Sequence, residues 1–239
     1  MGIRAVVWDV DDTIFDYAGA DRAGLRSHLH HEGLPDGCES VERALGLWEE
    51  VTARHWARFA AGECDFEGQR RDRVREFTGV PHSDEQADAW FARHVVHYEA
   101  AWSLFPDTVP ALDGLAAGYR HAVLSNSAFA HQDRKLRTLG VRDRFEVLLC
   151  AAELGVSKPE AAAFHAVCEA MGLAPAEVAY VGNEPDIDAR GAVEAGLFGI
   201  WLDRHDRGGR PDLTRITGLA QLPGVLRGDT RFGAPTRIG

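Results

Sequence analysis

The stretch Ile3-Arg4-Ala5-Val6-Val7-Trp8-Asp9-Val10-Asp11-Asp12-Thr13-Ile14-Phe15-Asp16 passes from an apolar run into a cluster of acids within a few residues. A short apolar run from Ile3 to Trp8 reads as a parallel strand buried on both faces, so the acids that follow lie in a polar loop at its carboxyl end. Open α/β sheets bind ligands at that edge. Asp9 is at the strand tip, and Asp11 lies two residues on, where an extended backbone projects its side chain to the same side.

Beyond Phe15 the pattern changes. Val41, Ala44, Leu45, Trp48, Val51, His55, Trp56 and Phe59 recur at three- and four-residue spacing, which predicts an amphipathic helix. A second is expected after Pro81, with Ala87, Trp90, Phe91, His94, Val95, Tyr98 and Trp102 on one stripe and Ser83 or Asp84 as its N-cap. The region 17–102 therefore reads as helical, without a strand.

From about residue 108 the chain alternates: helix 108–118, strand 121–124, helix 129–139, strand 145–150, helix 160–171, strand 178–181, helix 186–196 and strand 198–202, with a last short strand and helix around Ile216 and Leu219–Leu226. This is the βα rhythm of a parallel sheet. The expectation is an α/β protein with a Rossmann-like parallel sheet and helices on both faces, formed by 1–16 and 103–239. An all-α domain at 17–102 is inserted after the first strand. The Gly/Arg/Asp-rich stretches 203–212 and 228–239 read as a loop and a mobile tail.

Composition narrows the function. At about 150 residues per domain, 239 residues amount to a core plus a fraction, enough to bury a sizeable interior. The net charge of −11 repels phosphate backbones and anionic bilayers, which disfavours nucleic-acid and membrane partners. No segment has the length of a signal-peptide or membrane-spanning run. The four cysteines have no metal-site or disulfide-framework spacing, which fits a reducing cytoplasm. Only two of the 26 basic residues are lysines, Lys135 and Lys158.

Four segments fall in order at predicted strand ends or the loops after them: Asp9-Val10-Asp11-Asp12-Thr13, His121-Ala122-Val123-Leu124-Ser125-Asn126, Gly155-Val156-Ser157-Lys158-Pro159, and Val181-Gly182-Asn183-Glu184-Pro185-Asp186-Ile187-Asp188. Together they resemble the motifs of the haloacid dehalogenase superfamily of phosphohydrolases. The likeness covers nearly the whole chain and is to subfamily I, whose cap is an α-helical C1 insertion. It implies Asp9 as nucleophile, Asp11 as general acid and base, and Lys158 as the cation offsetting charge on Asp9 and the phosphoryl group. Ser125, with Asn126 helping to orient it, would hold a phosphoryl oxygen together with Lys158. Ser125-Asn126 also reads as a cap opening the next helix, and both roles can coexist. Thr13 and Asp16 are expected to brace the loop.

The resemblance also implies Mg²⁺ at Asp9, at the backbone carbonyl of Asp11, and at position 183. There the family usually has Asp, and this chain has Asn183. An amide oxygen can coordinate a hard cation but adds no charge. Glu184 is the nearest replacement for that charge, and Asp188 aligns with the later acid beside the lysine. A weakened Mg²⁺ site is therefore expected. The implied function is a Mg²⁺-dependent phosphatase for a small phosphorylated metabolite, acting as a monomer or homodimer, with the helical insertion as a cap. The alternatives are a 2-haloacid dehalogenase, which Asp11 argues against, and a non-catalytic phosphate-binding member, which Asn183 alone favours.

Other residues receive structural readings: Arg70, Arg71, Arg73 and Arg75 as a solvated helix face, Lys135 as a surface lysine, and Trp48, Trp56, Trp90 and Trp102 as cap core. His28, His30, His31, His94 and His97 lack the grouping of a zinc site.

Overall fold

The computed structural model describes residues 2–228; apart from Gly228, the tail expected at 228–239 lies outside the described residues. The first strand, β1 (Ala5–Trp8), leads into four helices: α1 (Tyr17–Glu32), α2 (Val41–Ala60), α3 (Phe66–Thr78) and α4 (Asp84–Ala100). Then follow α5 (Thr108–Leu115), β2 (Arg120–Ser125), α6 (Phe129–Thr138), β3 (Val147–Cys150), α7 (Ala151–Leu154) and α8 (Ala161–Met171). The chain continues with β4 (Val178–Gly182), α9 (Gly191–Glu194), β5 (Phe198–Leu202), β6 (Thr214–Ile216) and α10 (Leu222–Leu226). It divides into two compact units, residues 1–16 with 103–239, and residues 17–102.

The first unit is a parallel six-stranded sheet of order β3-β2-β1-β4-β5-β6. Every residue of β1 and β4 is buried, as expected of strands covered on both sides. Ala5 and Val7 join Ala122, Leu124, Val178 and Tyr180 in a cluster with Phe164 and Val167 of α8 and Ala192 of α9. Val6 and Trp8 are buried toward the opposite side, where Trp8 Nε1 donates to His121 Nδ1 at 3.0 Å. In this strand order the connections reverse direction between β1 and β4, the crevice where such sheets bind ligands. Pairing of Trp8 with Val181 sets Asp9 level with the end of β4.

Several predicted ends shift by one to three residues, and two of the differences have a visible cause. Phe145 lies outside β3 because residues 142–144 form a 3₁₀ turn and pairing with β2 begins at Val147. The helix predicted over 186–196 is instead a π-helical turn, Pro185–Arg190, followed by the short α9. Both Asp188 N and Ala189 N approach Glu184 O, at 2.9 and 3.4 Å, and this widened turn directs Asp188 inward.

The second unit is helical throughout. Ser40, Asp65 and Ser83 cap α2, α3 and α4 through their side chains, and Ser83 forms a reciprocal capping box with Gln86. Leu25, Leu29, Leu45, Trp48, Val74, Phe77, Ala87 and Trp90 form its core. Gly24 lets α1 approach α4, since a Cβ there would sit 2.5 Å from Tyr98 Cα.

The arginine face is not simply solvated. Arg73 is buried against Trp48 and Phe91, Arg70 stacks on Phe91, and Arg71 and Arg75 pair with acids of the α4 N-terminus. Apolar helix surface takes up the long arginine stems while the carboxylates at 84 and 88 satisfy the outer guanidinium groups. Trp56 is 39% exposed and so does not join the tryptophan core. No helix among the described residues is long and apolar enough to cross a membrane.

Candidate active site

The loop after β1 doubles back on itself: the backbone N–H groups of Thr13, Ile14 and Phe15 converge on the Val10 carbonyl, and that of Asp12 bonds to Phe15 O. Asp12 takes a left-handed backbone (φ 56°), which Asp tolerates better than most residues. The tight loop brings Thr13 back to Asp9, where its hydroxyl donates to Asp9 Oδ2 at 2.9 Å.

On its other oxygen, Asp9 accepts from Lys158 Nζ at 2.8 Å. The same ammonium donates to Asp188 Oδ1 at 2.7 Å and to the Tyr180 hydroxyl at 2.7 Å. Three donors thus meet three acceptors, which is the complete capacity of an ammonium. All four groups are buried. Burial alone would pull the lysine down, but Asp188 and Asp9 outweigh it and hold its pKa well above the ordinary value. Burial pushes Asp9 up to about 7 against the pull of Lys158. Loss of water around the carboxylate is the larger cause, and Asp188, the second carboxylate on the same cation, adds to it.

Each partner is supported in turn. Tyr180 donates its hydroxyl proton to Leu124 O at 3.0 Å, leaving its lone pairs for Lys158. Asp188 Oδ2 accepts from the backbone N–H of Glu184 at 2.9 Å. The Asn126 amide donates to the Lys158 carbonyl and accepts from the Lys158 N–H, both at 2.8 Å. Sequence reasoning assigned Asn126 to orienting Ser125 and phosphate. Its amide is instead committed to the lysine backbone, because a side-chain amide can mimic a strand partner there.

Ser125, the last residue of β2, is buried, and its hydroxyl accepts from Gln132 Nε2 at 3.1 Å. Asn183 Oδ1 lies 3.3 Å from the Thr13 hydroxyl, and its backbone carbonyl is fixed by Trp201 Nε1 at 3.0 Å. A single hydroxyl hydrogen therefore sits between two oxygens, that of Asp9 and that of Asn183. Glu184 donates its backbone N–H to Asp188, and its carboxyl, on an exposed residue, has its pKa raised by burial and by the nearby Asp188. Among the described residues no three His, Cys, Asp or Glu side chains are placed to share a metal.

Asp11 brings the largest departure from expectation. Its carboxylate pairs with Lys135 through Oδ1 and accepts from Gln132 Nε2 at 2.8 Å through Oδ2. Lys135 is not a surface lysine. It is 1% exposed on the inner side of α6, its ammonium 4.3 Å from the Phe15 ring centroid. The sequence signal existed: the scarcity of lysine that singled out Lys158 applied equally to Lys135. Tyr180 had a weaker signal, a hydroxyl inside an otherwise apolar strand that must find a partner.

An aspartate at a parallel-strand tip, tied to a buried lysine and followed two residues on by a second aspartate, characterises a class of α/β hydrolases with an inserted helical unit. Residues 3–196 match the haloacid dehalogenase-like hydrolase family, and the chain belongs to it. It is 29% identical to a phosphoserine phosphatase of Thermus thermophilus, covering 92% of this chain and 98% of that one. It is 27% identical to a glyceraldehyde 3-phosphate phosphatase of Methanothermobacter thermautotrophicus, over 94% and 100% of the two chains. Among solved structures, the magnesium-bound HAD-hydrolase YfnB of Bacillus subtilis superposes with a TM-score of 0.79 at 19% identity, over 95% and 99% of the chains. A 2-haloacid dehalogenase from Pseudomonas syringae does so with 0.65 at 26% identity, over 94% and 98%.

Proposed function

We propose that this hydrolase is a Mg²⁺-dependent phosphatase that cleaves a small phosphate monoester through an aspartyl-phosphate on Asp9. The observation that carries the reading is Asp9 itself, buried, with one oxygen on Lys158 at 2.8 Å and the other on Thr13 at 2.9 Å, and with Asp11 two residues on. A carboxylate so held is aimed rather than free, and a second acid nearby serves a reaction that must both give and take a proton. The names of the two similar phosphatases support the same chemistry.

In the first step an Asp9 oxygen attacks phosphorus and the bond to the ester oxygen breaks. Asp11 gives its proton to the departing alkoxide. In the second, water attacks the phosphorus of the aspartyl-phosphate, Asp11 takes the water proton, and the Asp9–phosphorus bond breaks to release phosphate. Lys158 offsets charge on Asp9 and the transferring group throughout, and Ser125 Oγ–H holds a phosphoryl oxygen. The donors available to a cation are all oxygens: the Asp9 carboxylate, the Asp11 carbonyl and the Asn183 amide. The surplus of acceptors around the Thr13 hydroxyl suits a hard cation, with one charge fewer than an aspartate at 183 would supply. Bound there, Mg²⁺ supplies neutralising charge to the phosphoryl oxygens. Residues 17–102 act as the cap that selects the leaving group.

The reading is tested with a panel of phosphomonoesters and 2-haloacids, given Mg²⁺ or a chelator, on the wild type and Asp9→Asn. Metal-dependent phosphate release lost in the variant is expected. Halide release without metal would establish the dehalogenase instead, and tight binding without turnover of any compound a non-catalytic role.

A further inference from the structure

Helix α6 sends two polar side chains into the interior at positions an ordinary amphipathic helix would fill with apolar ones. Gln132 is 0% and Lys135 1% exposed. Their stems are long enough to reach the loop after β1, and both end on Asp11. Lys135 takes Oδ1, and Gln132 Nε2 takes Oδ2 at 2.8 Å while also donating to Ser125 Oγ at 3.1 Å.

A carboxylate only accepts, so the amide must face it through nitrogen, which fixes the orientation of Gln132. The consequence is that Gln132 Oε1 is buried without a partner. An unsatisfied buried carbonyl is destabilising, and a buried ion pair rarely outperforms apolar packing of the same volume. Apolar residues of matching volume at 11, 132 and 135 together would pack at least as well, so fold stability does not by itself account for the triad.

We infer that Lys135 and Gln132 are positioning residues for the reaction, fixing the Asp11 carboxyl group in the orientation from which it exchanges a proton with the leaving oxygen and the attacking water. Each Asp11 oxygen keeps a second lone-pair direction after accepting one hydrogen bond, so the clamp leaves it able to act. Gln132 has a second effect. By donating to Ser125 Oγ it occupies a lone pair there and leaves the hydroxyl hydrogen to point at a phosphoryl oxygen. One amide therefore spaces the proton-transfer group from the phosphoryl-holding group. Neither residue touches the reacting atoms: Lys135 acts through Asp11, and Gln132 through Asp11 and Ser125.

The inference rests on the reading of Asp11 as general acid, and the experiment separates the two. Proton donation matters most when the leaving group is poor, so kcat is measured for aryl phosphates of graded leaving-group acidity, from p-nitrophenyl to phenyl phosphate. The proteins are the wild type, Asp11→Asn, Lys135→Met and Gln132→Leu, each checked for a native near-ultraviolet spectrum and cooperative melt. Asp11→Asn is expected to raise the p-nitrophenyl to phenyl ratio by about 10²-fold, the lower end of general acid–base contributions. Lys135→Met is expected to raise it at least tenfold and Gln132→Leu severalfold, whereas a purely structural loss lowers both substrates in parallel. A raised ratio in Asp11→Asn with wild-type ratios in folded Lys135→Met and Gln132→Leu overturns the positioning role. An unchanged ratio in Asp11→Asn overturns the reading of Asp11, and this inference with it.

Discussion

The carboxyl group of Asp188 fills the space that a side chain on Gly182 would need: a Cβ built at 182 lies 2.3 Å from Asp188 Cγ. Gly182 ends β4, and Asp188 reaches it from the π-turn to accept from both Lys158 and the Glu184 backbone. Gly182→Ala must therefore displace Asp188, taking one acceptor from Lys158. The expected result is a stability loss of about 1–3 kcal/mol in urea and a kcat at least tenfold lower. Wild-type activity in a folded Gly182→Ala protein would show that Lys158 does not depend on Asp188.

Lys158 bonds to acceptors on three separate elements, and a planar guanidinium cannot reproduce those directions. Both Lys158→Met and Lys158→Arg should lose about 10²-fold or more in kcat on phosphomonoesters. Lys158→Met should also destabilise by roughly 3–5 kcal/mol, because two buried carboxylates are left without their cation. Substantial activity in the arginine variant would mean that charge alone suffices.

Asn183 Oδ1 shares the Thr13 hydroxyl with Asp9, so Asn183→Asp adds a charge beside the oxygens offered to a metal. Mg²⁺ affinity, read by calorimetry without substrate, is expected to tighten on the order of tenfold, since affinity follows ligand charge. Equal affinity in the two proteins would remove residue 183 from the site.

His28 lies buried against Trp90, ring centroids 4.4 Å apart, with neither nitrogen bonded. Burial, reinforced by His94, lowers its pKa from 6.5 to about 4. Between those values the unfolded chain binds a proton that the folded chain refuses, so stability falls as pH drops through that window and is unaffected above it. His28→Phe keeps the ring and removes the titration. Chemical denaturation at pH 7 and pH 4.5 should show the wild type losing roughly 1–3 kcal/mol more than the variant. Parallel losses would place the acid sensitivity elsewhere.

Much of the architecture was legible because local periodicity carries it. The two helical stripes after residue 40 become α2 and α4, and the alternation from residue 108 becomes the rest of the sheet. Less legible were places where a distant partner overrides a local preference. The π-turn at Pro185–Arg190 replaces the start of a regular helix where Asp188 turns in toward Lys158, and Trp56 falls on the helix stripe yet faces solvent.

The sequence by itself determined that Asp9 and Ser125 sit at strand ends and that Lys158 and Asp188 lie in the segments that come after β3 and β4, because spacing along the chain is enough to say so. Only the tertiary structure decided what each side chain meets. Asn126 was drawn to the lysine backbone, Tyr180 became the third acceptor of Lys158, and Lys135 went from an assumed surface position to a buried partner of Asp11, 124 residues away in the chain. The reason is that a polar side chain taken out of water must find its complement, and that complement is set by which strands lie side by side, a property no local pattern encodes.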